Sequence, residues 1–247
     1  RGLVDGVIVV DQQMEPVHSG LGGGVVPDAF MILSRIISSF HNDKGELLIE
    51  GLTPTEQVVF ELSDEFVKSS LSSKGVELFE MDSYSKRLWL EPALSILAID
   101  APPVAESVNL LIPKAKAKVS LRLPPTEDPD HAMNMLEKHI KENTPFNANV
   151  NFIPEAKGKG ILVDPKNEFS SKLIESFNKN WENEVAYMGV GGSIPFANVF
   201  INEFPNSEIV LVGAGDEEGN AHAPNESVNI DDIKRLITSL TDALSNY

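Results

Sequence analysis

The chain has 247 residues, of which 42% are hydrophobic and 23% charged, the balance of a globular protein with one large or two smaller domains. Its 37 acidic and 20 basic residues give a net charge of −17, and so acidic a surface repels phosphate and anionic lipid, which excludes nucleic acid and membranes as expected partners. There is no cysteine, so disulfides and thiolate metal sites are excluded. A reducing cytoplasm is compatible with this composition and is the location that we expect.

The first part of the chain predicts a small two-layer domain. A valine-rich run from Val4 to Val10 favours a strand, and residues 25–40 place apolar side chains at helical spacing. Further strands are predicted at 94–99, 115–123 and 148–153, with a helix that begins at Asp128-Pro129. The resulting order is strand, helix, strand, strand, helix, strand, which is the split βαβ pattern of a ferredoxin-like α+β domain.

Two stretches depart from that pattern. Residues 41–93 are charged and mixed, and we interpret them as a variable insertion with a helix at 64–71. The segment 157–160, Lys-Gly-Lys-Gly, predicts a hinge. The elements predicted after it are helices at 168–182, from about Ser193, and at 230–244, with a short strand at 208–212. One strand among three helices indicates a fragment of an α/β layer.

Four clusters carry side chains capable of chemistry, beginning with His18, Asn109 and Arg122. His18 stands beside a glycine-rich turn, where an imidazole is exposed and mobile enough to donate a hydrogen bond. The alternative is that His18 is an ordinary polar residue at the end of a strand. Arg122 lies on the polar side of the strand at 115–123 and offers a fork for a carboxylate, and Asn109 offers an amide donor. The alternative for Arg122 is a solvated surface charge.

The other two clusters lie in the second part of the chain. Gly191-Gly192-Ser193-Ile194-Pro195 predicts a tight helix entry with free backbone N–H groups, and Pro195 stands where a serine nucleophile elbow needs glycine. His222 follows the predicted strand at 208–212, at the position where α/β sheets bind ligands, and it suits a metal ligand. An acidic surface loop is the alternative there.

Taken in order, these motifs resemble the carnosinase/aminoacylase-like two-zinc metallopeptidases, especially their cytosolic dipeptidase branch. The matching motifs are His18-Ser19-Gly20, Ser120-Leu121-Arg122-Leu123, Gly191 to Pro195 and His222-Ala223-Pro224-Asn225-Glu226. The resemblance implies that residues 1–155 form a dimerisation lid, with 41–93 as its insertion. It also implies that 156–247 form the C-terminal part of an α/β catalytic domain into which the lid is inserted.

The resemblance also assigns roles to residues. His222 would bind one of two divalent metal ions, with zinc expected and manganese or cobalt as alternatives. His18 would stabilise the oxyanion in the site of the partner subunit of a homodimer. Arg122 would hold the free carboxylate of a small peptide, with Asn109 beside the reacting carbonyl and Gly192 and Ser193 lining the pocket.

The family's other metal ligands and its general-base glutamate lie before the lid, so Arg1 is interpreted as an internal position of a longer protein. One histidine cannot hold a catalytic zinc, and we expect the 247-residue chain alone to be inactive. The function that the resemblance implies is metal-dependent hydrolysis of dipeptides or short peptides with a free C-terminal carboxylate. An N-acyl amino acid deacylase and a non-catalytic dimerisation module are the alternatives.

Overall fold

The computed structural model describes residues 1–71, 75–79, 81–162, 164–190, 199–200, 203–204, 207–216, 219–220 and 223–247. The contacts divide the chain into two compact units. The first contains residues 1–161 with 188–190, and the second contains the other described residues from 162 onward.

Four antiparallel strands form the sheet of the first unit, in the order β2-β3-β1-β4. They are β1 (Gly2–Asp11), β2 (Ala93–Asp100), β3 (Lys114–Leu123) and β4 (Val150–Gly158). The helices are α1 (Ser19–Gly22), α2 (Ala29–Ser38), α3 (Asp64–Leu71), α4 (Tyr84–Trp89) and α5 (Pro129–Glu142). Short 3₁₀ turns lie at Val104–Glu106 and Pro145–Asn147. The predicted ferredoxin-like fold is confirmed.

One face of the sheet is buried by α2 and α5. Along β1 and β3 every second side chain points to these helices, and Val4, Ile8, Val119 and Leu121 are each fully buried there. Asp128 begins α5 as its N-cap, and its carboxylate accepts from two backbone N–H groups of the first turn. The predicted alternation and the predicted helix start are therefore both confirmed.

The opposite face of the sheet carries polar side chains. Lys114, Lys116, Lys118 and Arg122 alternate along β3 on this open face. Lys118 pairs with Glu155 at 2.7 Å, and Lys114 pairs with Asp11 at 2.9 Å. We call this surface the open face.

Two predictions about the first unit need correction. The hinge predicted at 157–160 begins inside a strand, because Lys157 pairs with Val4 and Gly158 with Leu3 in the β1–β4 ladder. The segment 41–93, interpreted as an insertion, contains the predicted helix α3 and also α4, which was not predicted. Trp89 at the end of α4 is only 7% exposed, so this part of the insertion is packed.

The second unit is built on α6 (Glu168–Asn180) and α7 (Ile230–Ser245), which confirm two predicted helices. The helices are joined by a buried hydrogen bond in which the Ser176 hydroxyl donates to the Ser239 carbonyl at 2.8 Å. The strand predicted at 208–212 is wrong: the described residues of this unit contain no strand with which it pairs. Of the helix predicted from about Ser193, the start lies outside the described residues, whereas the described positions 199–200 and 203 are helical. No helix in the described part of the chain is long and apolar enough to cross a membrane.

Candidate functional site

His18 lies in the connection between β1 and α2, where it is the N-cap of α1. Its Nδ1 accepts a hydrogen bond of 3.0 Å from the backbone N–H of Gly20. An imidazole nitrogen that accepts carries no proton, so in the neutral ring the proton is on Nε2. His18 is exposed, and no other described residue forms a hydrogen bond with its ring, so the Nε2–H is available as a donor.

Asn109 lies beside His18. The carbonyl of Asn109 accepts from the N–H of Ser19 at 2.9 Å, and His18 and Leu110 form an antiparallel bridge. Both side chains are exposed at the end of the sheet where β1 finishes and β3 begins. The structure thus brings together two of the predicted site residues through backbone pairing.

Arg122 lies at the other end of the same sheet. It is half-buried on the open face, opposite Leu3 on one neighbouring strand and Ala93 on the other. Eight residue steps of β3 separate Lys114 from Arg122, which corresponds to about 26 Å at the usual rise of a strand. The structure therefore does not bring Arg122 together with His18 and Asn109 within one chain.

A second arginine, which the sequence analysis did not select, lies beside Arg122. The guanidinium of Arg1 donates from Nη2 to the carbonyl of Glu91 at 3.0 Å and from Nη1 to the carbonyl of Leu88. Burial and the neighbouring charge of Arg122 lower the pKa of Arg1 to about 10, so it stays charged at neutral pH. No signal in the sequence indicates such a residue, because its partners are main-chain carbonyls.

The same end of the sheet receives the segment 188–190, which leads into the Gly191-Gly192-Ser193 motif. The backbone nitrogen of Arg1 donates to the carbonyl of Val190 at 3.1 Å. A Cβ added at Gly189 would clash with Cβ and Cγ of Trp89, so glycine allows a close approach there. Gly192 and Ser193 themselves lie outside the described residues, and their predicted role is untested.

The predicted metal ligand, His222, also lies outside the described residues. Close to it, Ser227 donates from its backbone N–H to the carbonyl of Gly219 at 2.9 Å, so the described flanks of this loop are joined. The described residues contain no group of three or more histidine, aspartate or glutamate side chains placed to hold a metal ion. They therefore do not fit a metal centre by themselves.

The fold of the first unit defines a class, the small ferredoxin-like α+β domains with one helical layer. Within that class, the family model described as "Peptidase dimerisation domain" matches residues 1–148, which is more than half of the chain. The chain therefore belongs to the peptidase dimerisation domain family of the M20 peptidases.

Similar proteins agree with this membership. The chain is 29% identical to a cysteinylglycine-S-conjugate dipeptidase from Corynebacterium striatum, over 96% of this chain and 53% of that protein. It is 25% identical to a Cys-Gly metallodipeptidase from Saccharomyces cerevisiae, over 97% of this chain and 52% of that protein. An M20 family metallo-carboxypeptidase from Sulfolobus solfataricus has the same fold, with a TM-score of 0.75 and 23% identity, over 98% of this chain and 57% of that one. The chain spans about half the length of these relatives.

Proposed function

We propose that the whole protein containing this chain is a metal-dependent peptidase that hydrolyses dipeptides or short peptides with a free C-terminal carboxylate. Membership of the peptidase dimerisation domain family supports this proposal, as do the dipeptidase and metallodipeptidase relatives. In this proposal the protein is a cytoplasmic homodimer, and residues 1–155 form the lid through which two copies associate. Residues 156–247 form the C-terminal part of its catalytic domain.

The observation that carries the proposal is the distance between the two groups of predicted substrate-binding residues. An extended dipeptide spans about 7 Å, whereas about 26 Å of β3 separates the His18 end of the sheet from Arg122. One copy of the chain cannot hold both ends of so small a substrate. Two copies related by a two-fold axis can do so, if the His18 end of one meets the Arg122 end of the other.

The chemistry of His18 suits this role in the partner's site. When water attacks a peptide carbonyl, negative charge develops on the oxygen, and a donor at that position stabilises the transition state. The Nε2–H of His18 is such a donor, and its exposure lets it reach a second chain. Because Asn109 lies beside His18, we propose that it also acts across the interface, beside the reacting carbonyl.

Exposed apolar side chains near the His18 end support association with a second copy. The edge strand β2 exposes Leu97 and Ile99, and the loop between β2 and β3 exposes Val108 and Leu110. An exposed apolar edge strand is a ready place for another chain to pair. Because the chain belongs to a dimerisation domain family, a second copy of the chain is the occupant that we propose.

The metal ions of this proposal require residues other than the described ones, since those do not fit a metal centre. We propose that His222 is one ligand and that the remaining ligands lie in the part of the whole protein that the relatives have and this chain does not span. Zinc is the expected metal, with manganese or cobalt as alternatives. Gly192 and Ser193 are proposed to line the substrate pocket.

A subunit-mixing experiment on the whole protein tests this arrangement. His18→Ala and Arg122→Met variants are each expected to lose about 10²–10³-fold in dipeptide hydrolysis. If His18 acts in the partner's site, a mixed dimer of the two variants has one intact site and one site that lacks both side chains. Random mixing in equal amounts then restores about a quarter of the wild-type activity, because half the dimers are mixed. No recovery in dimers shown to have mixed would contradict the proposal.

Two further measurements separate the alternatives. An N-acyl amino acid deacylase would cleave acylated amino acids in preference to dipeptides, so hydrolysis of matched substrates of the two kinds distinguishes them. A non-catalytic dimerisation module would show no hydrolysis in the whole protein with zinc, manganese or cobalt. The purified 247-residue chain alone is expected to be inactive in every case, and turnover by it would contradict the proposed completion of the site by other residues.

A further inference from the structure

The end of the sheet that carries Arg122 holds an arrangement of charges that the proposed function does not use. Arg1 directly precedes β1, and residues two apart in an extended chain point to the same face, so the side chain of Arg1 lies with those of Leu3 and Arg122 on the open face. Since Leu3 is directly opposite Arg122, Arg1 is its diagonal neighbour, about 7–8 Å away between Cα atoms. Two guanidinium groups are therefore adjacent at this end of the sheet.

The Arg1 side chain is held by acceptors that lie on the other side of β3 from its own backbone. Its fork binds the carbonyls of Leu88 and Glu91, which precede β2, whereas its own backbone begins β1. Because β3 lies between these two strands, the side chain of Arg1 must cross the end of β3 close to Arg122. It is held there by main-chain acceptors that carry no net charge.

The carboxylate of Glu91, the residue whose carbonyl holds Arg1, is itself paired with another arginine. The side chain of Glu91 accepts from Arg87 Nη1 at 3.1 Å, one helical turn earlier, and this pair is mostly buried. Arg87 is itself fixed, because its Nη2 donates to the carbonyl of Gly45. Among the described residues no carboxylate pairs with Arg122.

We infer that Arg1 is a positioning residue that keeps Arg122 free for a substrate carboxylate, with Arg87 neutralising Glu91 in support. The fixed positive charge of Arg1 repels the guanidinium of Arg122 from the end of the sheet. It also raises the electrostatic potential around that guanidinium, which favours the binding of an anion there. The carbonyls that hold Arg1 carry no net charge, and the carboxylate of Glu91, whose charge also acts on Arg1, is paired with Arg87. This inference rests on the proposed function, since it explains how Arg122 is prepared for a free C-terminal carboxylate.

The test compares a dipeptide with its C-terminal amide in the whole protein. Arg1→Met is expected to raise KM for the dipeptide about tenfold, from the loss of one adjacent charge, with kcat changed less than about twofold. Hydrolysis of the amide is expected to be unchanged, because it offers no carboxylate. Arg1→Lys keeps the charge and is expected to retain most of the preference for the acid.

A second variant covers the case in which Arg1→Met does not fold. Arg87→Met leaves Arg1 in place but frees the Glu91 carboxylate to pair with the arginines, so it is expected to raise KM for the dipeptide and not for the amide. Equal effects on the acid and the amide in both variants, or no change in their ratio, would overturn the inference.

Arg122→Met separates this inference from the proposed function. If Arg122→Met leaves the ratio of acid to amide hydrolysis unchanged, the assignment of the carboxylate to Arg122 is wrong. If Arg122→Met removes the preference and neither Arg1→Met nor Arg87→Met weakens it, only the role of Arg1 is wrong.

Discussion

The His18 end and the Arg122 end of the same sheet hold their polar side chains in different ways. At the His18 end the imidazole and Asn109 are exposed, and one hydrogen bond from Gly20 orients the ring. At the Arg122 end the neighbouring Arg1 is half-buried, and main-chain carbonyls hold its fork.

This difference matches two requirements. A side chain that acts on a neighbouring subunit has to project from its own chain, so little of its own domain can surround it. A charged group that recognises one end of a substrate benefits from a rigid surrounding, because disorder of the side chain weakens binding. We therefore expect substitutions at the Arg122 end to lower the free energy of unfolding, and substitutions at the His18 end to change the orientation of the His18 ring.

The largest effect is expected from Leu121→Ala, next to Arg122. Leu121 is fully buried on the covered face, and its truncation is expected to lower the free energy of unfolding by about 2–5 kcal/mol. Leu21→Ala, at the exposed His18 end, is the matched control and is expected to change it by less than about 0.5 kcal/mol. Urea unfolding of both variants measures the difference, and equal losses would remove the distinction between the ends.

A smaller loss of stability is expected from Gly189→Ala. The added methyl group would overlap Trp89 Cβ, which cannot move without its backbone, so a loss of about 1–3 kcal/mol is expected. Gly158→Ala is the control, because no atom lies within 4 Å of a Cβ added there, and a change of at most about 1 kcal/mol is expected. Thermal unfolding of the two variants decides whether the segment 188–190 is packed against α4.

Gly20→Ala tests the orientation of His18 rather than stability. A Cβ at this position would lie 3.2 Å from both Nδ1 and Cε1 of His18, which is tight, so the ring is expected to turn. Loss of the hydrogen bond to Nδ1 would reduce the population of the Nε2–H tautomer, with a stability change within about 0.5 kcal/mol. Ring nitrogen chemical shifts report the tautomer, and Leu21→Ala, at an exposed neighbour, is the control. An unchanged tautomer population would show that the Gly20 N–H does not set the proton position.

The smallest effect is expected from a substitution of His139 in α5, which packs under the sheet. His139 is 9% exposed, its Nε2 lies 3.1 Å from the carbonyl of Ser39, and burial lowers its pKa in spite of Glu50 and Glu142. Below the unfolded value of about 6.5 the unfolded chain binds the proton first, so stability falls as the pH falls. His139→Gln is expected to reduce this slope between about pH 7 and about pH 5, as measured by urea unfolding. If the slope of the unfolding free energy against pH is unchanged in this variant, other groups cause it. His41 is one such group, because its pKa is also lowered.

Much of the sheet domain was predictable because its sequence signals are local. The alternation along 115–123 places every second side chain on one face, and Asp128-Pro129 fixes the start of α5 by capping. Elements that depend on distant partners were predicted less well. The strand predicted at 208–212 has no pairing strand among the described residues, and β4 extends to Gly158 because β1 offers it a partner. Helix α4 is too short for its periodicity to be recognised.

The candidate site divides in the same way. Motifs identified His18 and Arg122, but no pattern in the sequence indicates that they lie at opposite ends of one sheet. That placement follows from the antiparallel order of the strands. Arg1 was missed because a main-chain carbonyl has the same chemistry at every residue, so its partners leave no trace in the sequence.

The pairing of β1 with β4 has a consequence for the architecture of the whole protein. Leu3 at the start of the sheet domain lies directly opposite Gly158 at its end, so the chain enters and leaves the domain side by side. A module with adjacent entry and exit can be transplanted between host proteins without stretching either backbone. A linker of a few glycines in its place would close the gap, so the domain could be removed from a host protein without distorting the rest of its backbone.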